Sequence, residues 1–190
     1  VSDIKNNLKQ KIMALTNFLI KAILVTTVTL GGAKITLDGT FPKVGDTAPN
    51  FTLVNGELKD ISLSDFKGKR VLLNIFPSLD TKTCAMSVRE FNEKAADMKN
   101  TVVLAISKDL PFAQSRFCST EGIKNLIPLS AFRNESFGKD YGVAIKDSPM
   151  AGLLARAVII IDENGKIIYT ELVPELRHEP NYKAALAVLK

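Results

Sequence analysis

The residues with the most chemistry per unit length lie in one string, FPSLDTKTC, from Phe76 to Cys84. A thiol reacts as its thiolate, so a reactive cysteine needs neighbours that favour negative charge. Thr81 offers a hydroxyl that can donate to the sulfur or to a bound oxygen while accepting from another group. Lys82 adds a cation nearby, and Pro77 stiffens the string and removes a competing backbone donor. The bland alternative makes Cys84 a small buried hydrophobe. The other thiol of the chain is Cys118. Two cysteines are too few for the disulfide scaffold of a small secreted protein, and with a single His they cannot complete a four-ligand zinc site of Cys and His. Redox chemistry and core packing remain as their uses, and no cofactor or metal is expected.

Arg156 is the third candidate. It stands in LLARAVIII, an apolar string in which an always-charged guanidinium must reach a partner or bear a heavy desolvation cost. One reading is a buried salt bridge, for example to an acidic residue near Cys84. The other sets its fixed donors against a thiolate and an attacked oxygen, where they stabilise charge moving onto a leaving group.

These side chains need elements to hold them. VLLNIF, residues 71 to 76, is a continuous apolar run bounded by a Gly-Lys turn and Pro77, the pattern of a strand buried on both faces. Beyond it Cys84, Val88, Phe91, Ala95 and Met98 recur at helical spacing and share one face. Cys84 therefore falls in the first turn of a helix, where unpaired amides carry partial positive charge and favour an anion. Val102 to Ser107 reads as a second buried strand, followed by a loop at Asp109 to Pro111 and a short helix through Phe112 to Cys118, with Pro111 suited to a first helical turn. Phe51 to Val54 and the segment near Ile61 read as strands around an Asn55-Gly56 turn. Ala157 to Ile161 and Lys166 to Leu172 flank Asp162-Glu163-Asn164-Gly165 as an antiparallel hairpin. A closing helix runs from about Pro180 to Leu189. The alternation predicts an α/β fold with a mixed central sheet flanked by helices.

The chain has 190 residues and a formal charge of +5, of which residues 1 to 27 hold +3. The remainder is mildly basic, with no basic stripe interleaved with stacking aromatics, so no nucleic-acid partner is expected. Lys5, Lys9 and Lys11 precede an apolar run ending at Gly31, Gly32 and Ala33, the order of a signal peptide, but Lys21 interrupts it. The competing reading makes VTL-GG-AKITL, Val28 to Leu37, an N-terminal β-hairpin around Gly31 and Gly32. Residues 1 to 27 are then an extension, a leader or a helix, ahead of one domain over residues 28 to 190. No stable membrane anchor is expected. The location is read as cytoplasmic, or periplasmic if residues 1 to 33 include a leader.

The string P-x-x-x-T-x-x-C at a strand-to-helix junction resembles the active-site motif of the peroxiredoxins. From about Val28 to Lys190 the sequence is similar to the bacterial thiol peroxidase subfamily, the atypical two-cysteine peroxiredoxins. The resemblance rests on VGDTAPNF, NIFPSLDT, DLPFAQSRFC, LLARAV and EPNYKAALAVL, in the family order. It implies a thioredoxin-like fold, a homodimer, and reduction of hydrogen peroxide or alkyl hydroperoxides at the expense of thioredoxin. It also implies roles: Cys84 as the peroxidatic cysteine, Cys118 as the resolving one, and Pro77, Thr81 and Arg156 as completing the peroxide-binding site. A sulfenic acid on Cys84 would be captured by Cys118 as an intramolecular disulfide, which needs the two Cα atoms within about 7 Å and hence a local rearrangement.

Lys82 departs from the pattern, since glycine is usual there in the subfamily. His178, flanked by charges, reads as a solvated surface residue. Phe112, Phe117 and Phe132 read as core or dimer contacts. Two rival functions stand beside the peroxidase. A general thiol-disulfide oxidoreductase would carry C-x-x-C at the helix start, and Met86, Ser87 and Val88 supply no second thiol. A redox sensor that switches a partner through the same disulfide needs the same chemistry.

Overall fold

The computed structural model describes residues 26–190. The extension read over residues 1 to 27 lies almost wholly outside the described residues, and Thr27 already belongs to the first strand. The hairpin is present: β1 (Thr27–Leu30) pairs antiparallel with β2 (Ala33–Asp38) across Gly31 and Gly32, at φ +60° and +83°. Positive φ at both turn positions matches the twist of the strands.

A seven-stranded mixed sheet forms the centre. In chain order it contains β3 (Thr52–Val54), β4 (Asp60–Ser62), β5 (Arg70–Ile75), β6 (Thr101–Ser107), β7 (Ile127–Ser130), then, after the two-residue β8 (Ala144–Ile145) that joins β2 in a smaller sheet, β9 (Ala157–Ile161) and β10 (Ile167–Leu172). Its spatial order is β10-β9-β5-β6-β7-β3-β4. Strand β5 runs parallel to β6 and antiparallel to β9. Among the described residues four α-helices accompany the sheets: α1 (Lys82–Ala95), α2 (Pro111–Glu121), α3 (Phe137–Asp140) and α4 (Tyr182–Ala187).

The pleat divides the core in two. Val71, Leu73, Ile75, Leu104 and Ile106 face one cluster, which also takes Val28, Ile35 and Leu37 from the hairpin. Leu72, Phe76, Val103, Ala105, Val158 and Ile160 face the other, beneath α1 and α4. Strands covered on both sides need apolar residues at every position, which is why VLLNIF carries no alternation. Each such side chain contributes roughly 1.5–3 kcal/mol on burial.

Three local expectations change. Helix α1 ends at Ala95, so Met98 packs against the second cluster from beyond the helix. In the β3–β4 turn the left-handed residue is Leu58, at φ +62°, and Asn55 Oδ1 accepts from the amides of Glu57 and Lys59. Gly56 meets α2 instead: a Cβ there would stand 2.2 Å from Ser115 Oγ, so its bareness leaves room for that hydroxyl where it lies. Phe112 and Phe132 are not core residues, being 64% and 39% exposed, whereas Phe117 packs on the second cluster. No helix among the described residues is long and apolar enough to cross a membrane.

Candidate active site

The site forms where β5 ends and β9 begins. Antiparallel register pairs Ile75 with Ala157, so the chain leaving β5 through Phe76 and Pro77 passes the point where Arg156 enters β9. Pro77 is buried. The loop then reaches Thr81, the residue that caps α1, in extended conformation (φ −108°, ψ 140°). The first intrahelical bond is Ala85 N–H to Thr81 O at 3.0 Å. The amides of Lys82, Thr83 and Cys84 therefore precede the helical ladder and turn their partial positive charge toward the start of the helix.

Cys84 is 0% exposed and Arg156 1% exposed. Arg156 Nη2 lies 3.3 Å from Cys84 Sγ and donates to Leu176 O at 3.0 Å. Its Nε and Nη1 are buried and make no hydrogen bond among the described residues. No carboxylate pairs with Arg156 among them, so the salt-bridge reading finds no partner there, and the side chain the guanidinium meets is Cys84. A buried guanidinium with free donors is costly, and such sites are where negative charge is received.

Thr81 is positioned differently from the expectation. Its Oγ1 donates to Ser78 O at 3.1 Å, closing the loop on itself rather than reaching the sulfur. Lys82 is exposed. The bond of Thr83 Oγ1 to Arg177 O at 3.2 Å ties the first turn of α1 to the segment that also holds Arg156. That segment is clamped in turn. Leu176 N donates to Thr29 O at 2.8 Å, and the Glu175 carboxylate accepts from Thr29 Oγ1 and the amides of Gly31, Gly32 and Arg177. These donors, the Gly31 amide foremost, hold the Glu175 carboxyl down at about 2.

Residues that sequence reasoning missed support the thiol from behind. Asn74, fully buried in β5, donates from Nδ2 to Ser87 Oγ at 3.3 Å, and Ser87 Oγ donates to Cys84 O at 2.9 Å. A lone amide inside VLLNIF was the available signal. Ser78 and Asp109 are a second pair, joined at 2.7 Å across 31 positions of sequence.

Cys118 lies apart, on α2. It is half-buried and not bonded to Cys84, and burial pushes its thiol up to about 11. The structure thus brings Pro77, Thr81, Cys84 and Arg156 to one locus and leaves Cys118 on a neighbouring helix. His178 is exposed, as its flanking charges implied.

Comparison with known proteins adds family relations. A family model described as Redoxin matches residues 43–186. A thiol peroxidase of Corynebacterium glutamicum is 57% identical over 158 residues, 83% of this chain and 95% of its own length. A thiol peroxidase of Mycobacterium tuberculosis is 59% identical over 162 residues, 85% of this chain and 97% of its own. Among solved structures, a peroxiredoxin-like protein from Aquifex aeolicus superposes with TM-score 0.82 at 42% identity, covering 86% of this chain and 95% of that one.

Proposed function

The chain belongs to the redoxin family, among its thiol peroxidases, and from that premise we propose that Cys84 reduces hydrogen peroxide and alkyl hydroperoxides and that Cys118 resolves the product. The observation that carries the reading is Arg156: a fully buried guanidinium with one nitrogen 3.3 Å from Cys84 Sγ and two more that make no hydrogen bond among the described residues.

In this scheme the Cys84 thiolate attacks the distal oxygen of the hydroperoxide. The S–O bond forms as the O–O bond breaks, sulfur is oxidised, and the leaving oxygen departs as alkoxide or hydroxide and takes up a proton to become an alcohol or water. Arg156 contributes charge where it develops, at a site that excludes bulk water. Pro77 and the Thr81–Ser78 closure hold the loop that leads into the first turn of α1. Resolution follows when the Cys118 sulfur attacks the sulfenic sulfur, forming Cys84–S–S–Cys118 and releasing water. Thioredoxin then returns both thiols by disulfide exchange. The working species is a homodimer in the cytoplasm, and Phe112 and Phe132, exposed on one protomer, are its candidate contacts.

An NADPH-coupled assay with thioredoxin and its reductase tests the assignment. The intact protein should consume many equivalents of peroxide and Cys84→Ser none. Arrest after about one equivalent with reductant present would identify a redox sensor instead.

A further inference from the structure

We propose that Asp109 is a positioning residue that couples the loop of Cys84 to the helix of Cys118, so that peroxide attack and disulfide closure trade against each other through one carboxylate. The proposal rests on the two-cysteine reading above.

The network runs in both directions from this side chain. Toward Cys84, Ser78 Oγ donates to Asp109 Oδ1 at 2.7 Å and Leu79 N donates to Oδ2 at 2.8 Å. Ser78 is itself the residue on which Thr81 closes, through Thr81 N at 3.2 Å and Oγ1 at 3.1 Å. The carboxylate therefore fixes the start of α1 through a single intermediate residue. Toward Cys118, Ser107 Oγ donates to Asp109 Oδ2 at 2.8 Å and accepts from Gln114 Nε2 at 3.0 Å. Gln114 is fully buried, also donates to Leu129 O at 3.1 Å, and stands one helical turn before Cys118.

The chemistry gives this node its meaning. Peroxide attack needs the first turn of α1 wound and Cys84 beside Arg156, whereas closure needs both cysteine segments to leave these positions. A carboxylate that receives two donors from the Cys84 loop and one from Ser107, which in turn holds Gln114 of α2, favours the wound arrangement of each. Among the described residues no cation pairs with Asp109, so these hydrogen bonds are what holds its side chain in place. Holding both segments prolongs the sulfenic acid, and a prolonged sulfenic acid is open to a second peroxide and to sulfinic acid.

Single-turnover kinetics separate the two steps, with Cys84 oxidation followed by dimedone trapping and closure by mass spectrometry of non-reduced digests. Asp109→Asn should slow Cys84 oxidation by about tenfold, the weight of one charge-assisted hydrogen bond, while closure accelerates and sulfinic acid at high peroxide declines. Ser78→Ala should slow the first step alone, with Ser78→Thr restoring it, and Gln114→Met should accelerate the second alone. A side chain that merely stabilises the fold would slow both steps in proportion, and that result, or no change in either, overturns the coupling. Should Asp109→Asn fail to fold, the opposed responses of the Ser78 and Gln114 variants decide the matter. If the unaltered protein forms no Cys84–Cys118 bond, the resolving role of Cys118 falls and the coupling with it. If it closes the bond and the ratio of the two rates stays fixed across the variants, the coupling alone falls.

Discussion

Helices α1 and α2 each carry one thiol and are anchored in opposite ways. Helix α1 buries Cys84, Ala85, Ser87, Val88 and Phe91 against the central strands, with a buried polar tie from Asn74. Helix α2 buries Pro111 and Gln114 alone, and Cys118 is half-covered. A segment with few buried apolar contacts opens at low free energy, while one rooted in the core opens only at its end. The contrast suits a division of labour in which one sulfur leaves its pocket only by unwinding the first turn of α1 and the other travels with a lightly rooted helix. The state of Cys118 agrees: at about 11 its thiol is a poor nucleophile while packed, and exposure returns it toward the ordinary thiol value of about 8.5.

The comparison can be broken most decisively at the travelling thiol. Cys118→Ser should leave the first peroxide turnover intact and abolish steady turnover with thioredoxin unless small thiols are added; recycling at the normal rate would show that α2 does not supply the resolving sulfur. The next largest effect belongs to the fixed site. Arg156→Met should slow Cys84 oxidation by about 10²- to 10³-fold, the range for removing a donor aimed at developing charge, while alkylation of Cys118 proceeds unchanged.

A smaller effect lies in pH. Because burial raises the Cys118 thiol, the packed helix is favoured fully below the ordinary thiol value and loses that advantage as pH climbs toward about 11. Closure measured by pH jump on preformed sulfenic acid should thus keep accelerating above pH 8.5, and a plateau there would mean that Cys118 is already exposed. The smallest concerns Glu175, whose depressed carboxyl works in the other direction. Its contribution is whole above the usual carboxylate range and disappears as pH falls toward about 2. Glu175→Gln should lower the melting temperature at neutral pH by about 3 °C and flatten the acid limb of the stability curve.

Much of this contrast was legible in the residues themselves. The apolar run before Pro77, interrupted only by Asn74, the helical spacing from Cys84 to Ala95 and the Gly31-Gly32 and Asn164-Gly165 turns each reflect a local rule, and the fold follows them. Arg156 was legible as a problem, a charge in an apolar string, with two answers open, a salt bridge or a place beside the thiol. What escaped notice depends on pairs far apart in sequence: Ser78 with Asp109, Glu175 with the turn at Gly31, Leu176 O with Arg156. Such bonds join a side chain to whatever the topology brings near, so no periodicity announces them. Strand β7 carries Pro128, which argues against a sheet interior, and the two residues of β8 are too few to leave a pattern.

The bare Cα of Gly56 bears on how the family could vary this enzyme. Ser115 rests in the space that a methyl group there would occupy, three positions ahead of Cys118. An alanine there would turn the Ser115 hydroxyl aside, while its Cβ would meet Ser115 Cβ at 3.5 Å, an ordinary contact. Position 56 is thereby a place where the chain can be altered beside the helix of Cys118 without touching Cys84 or Arg156.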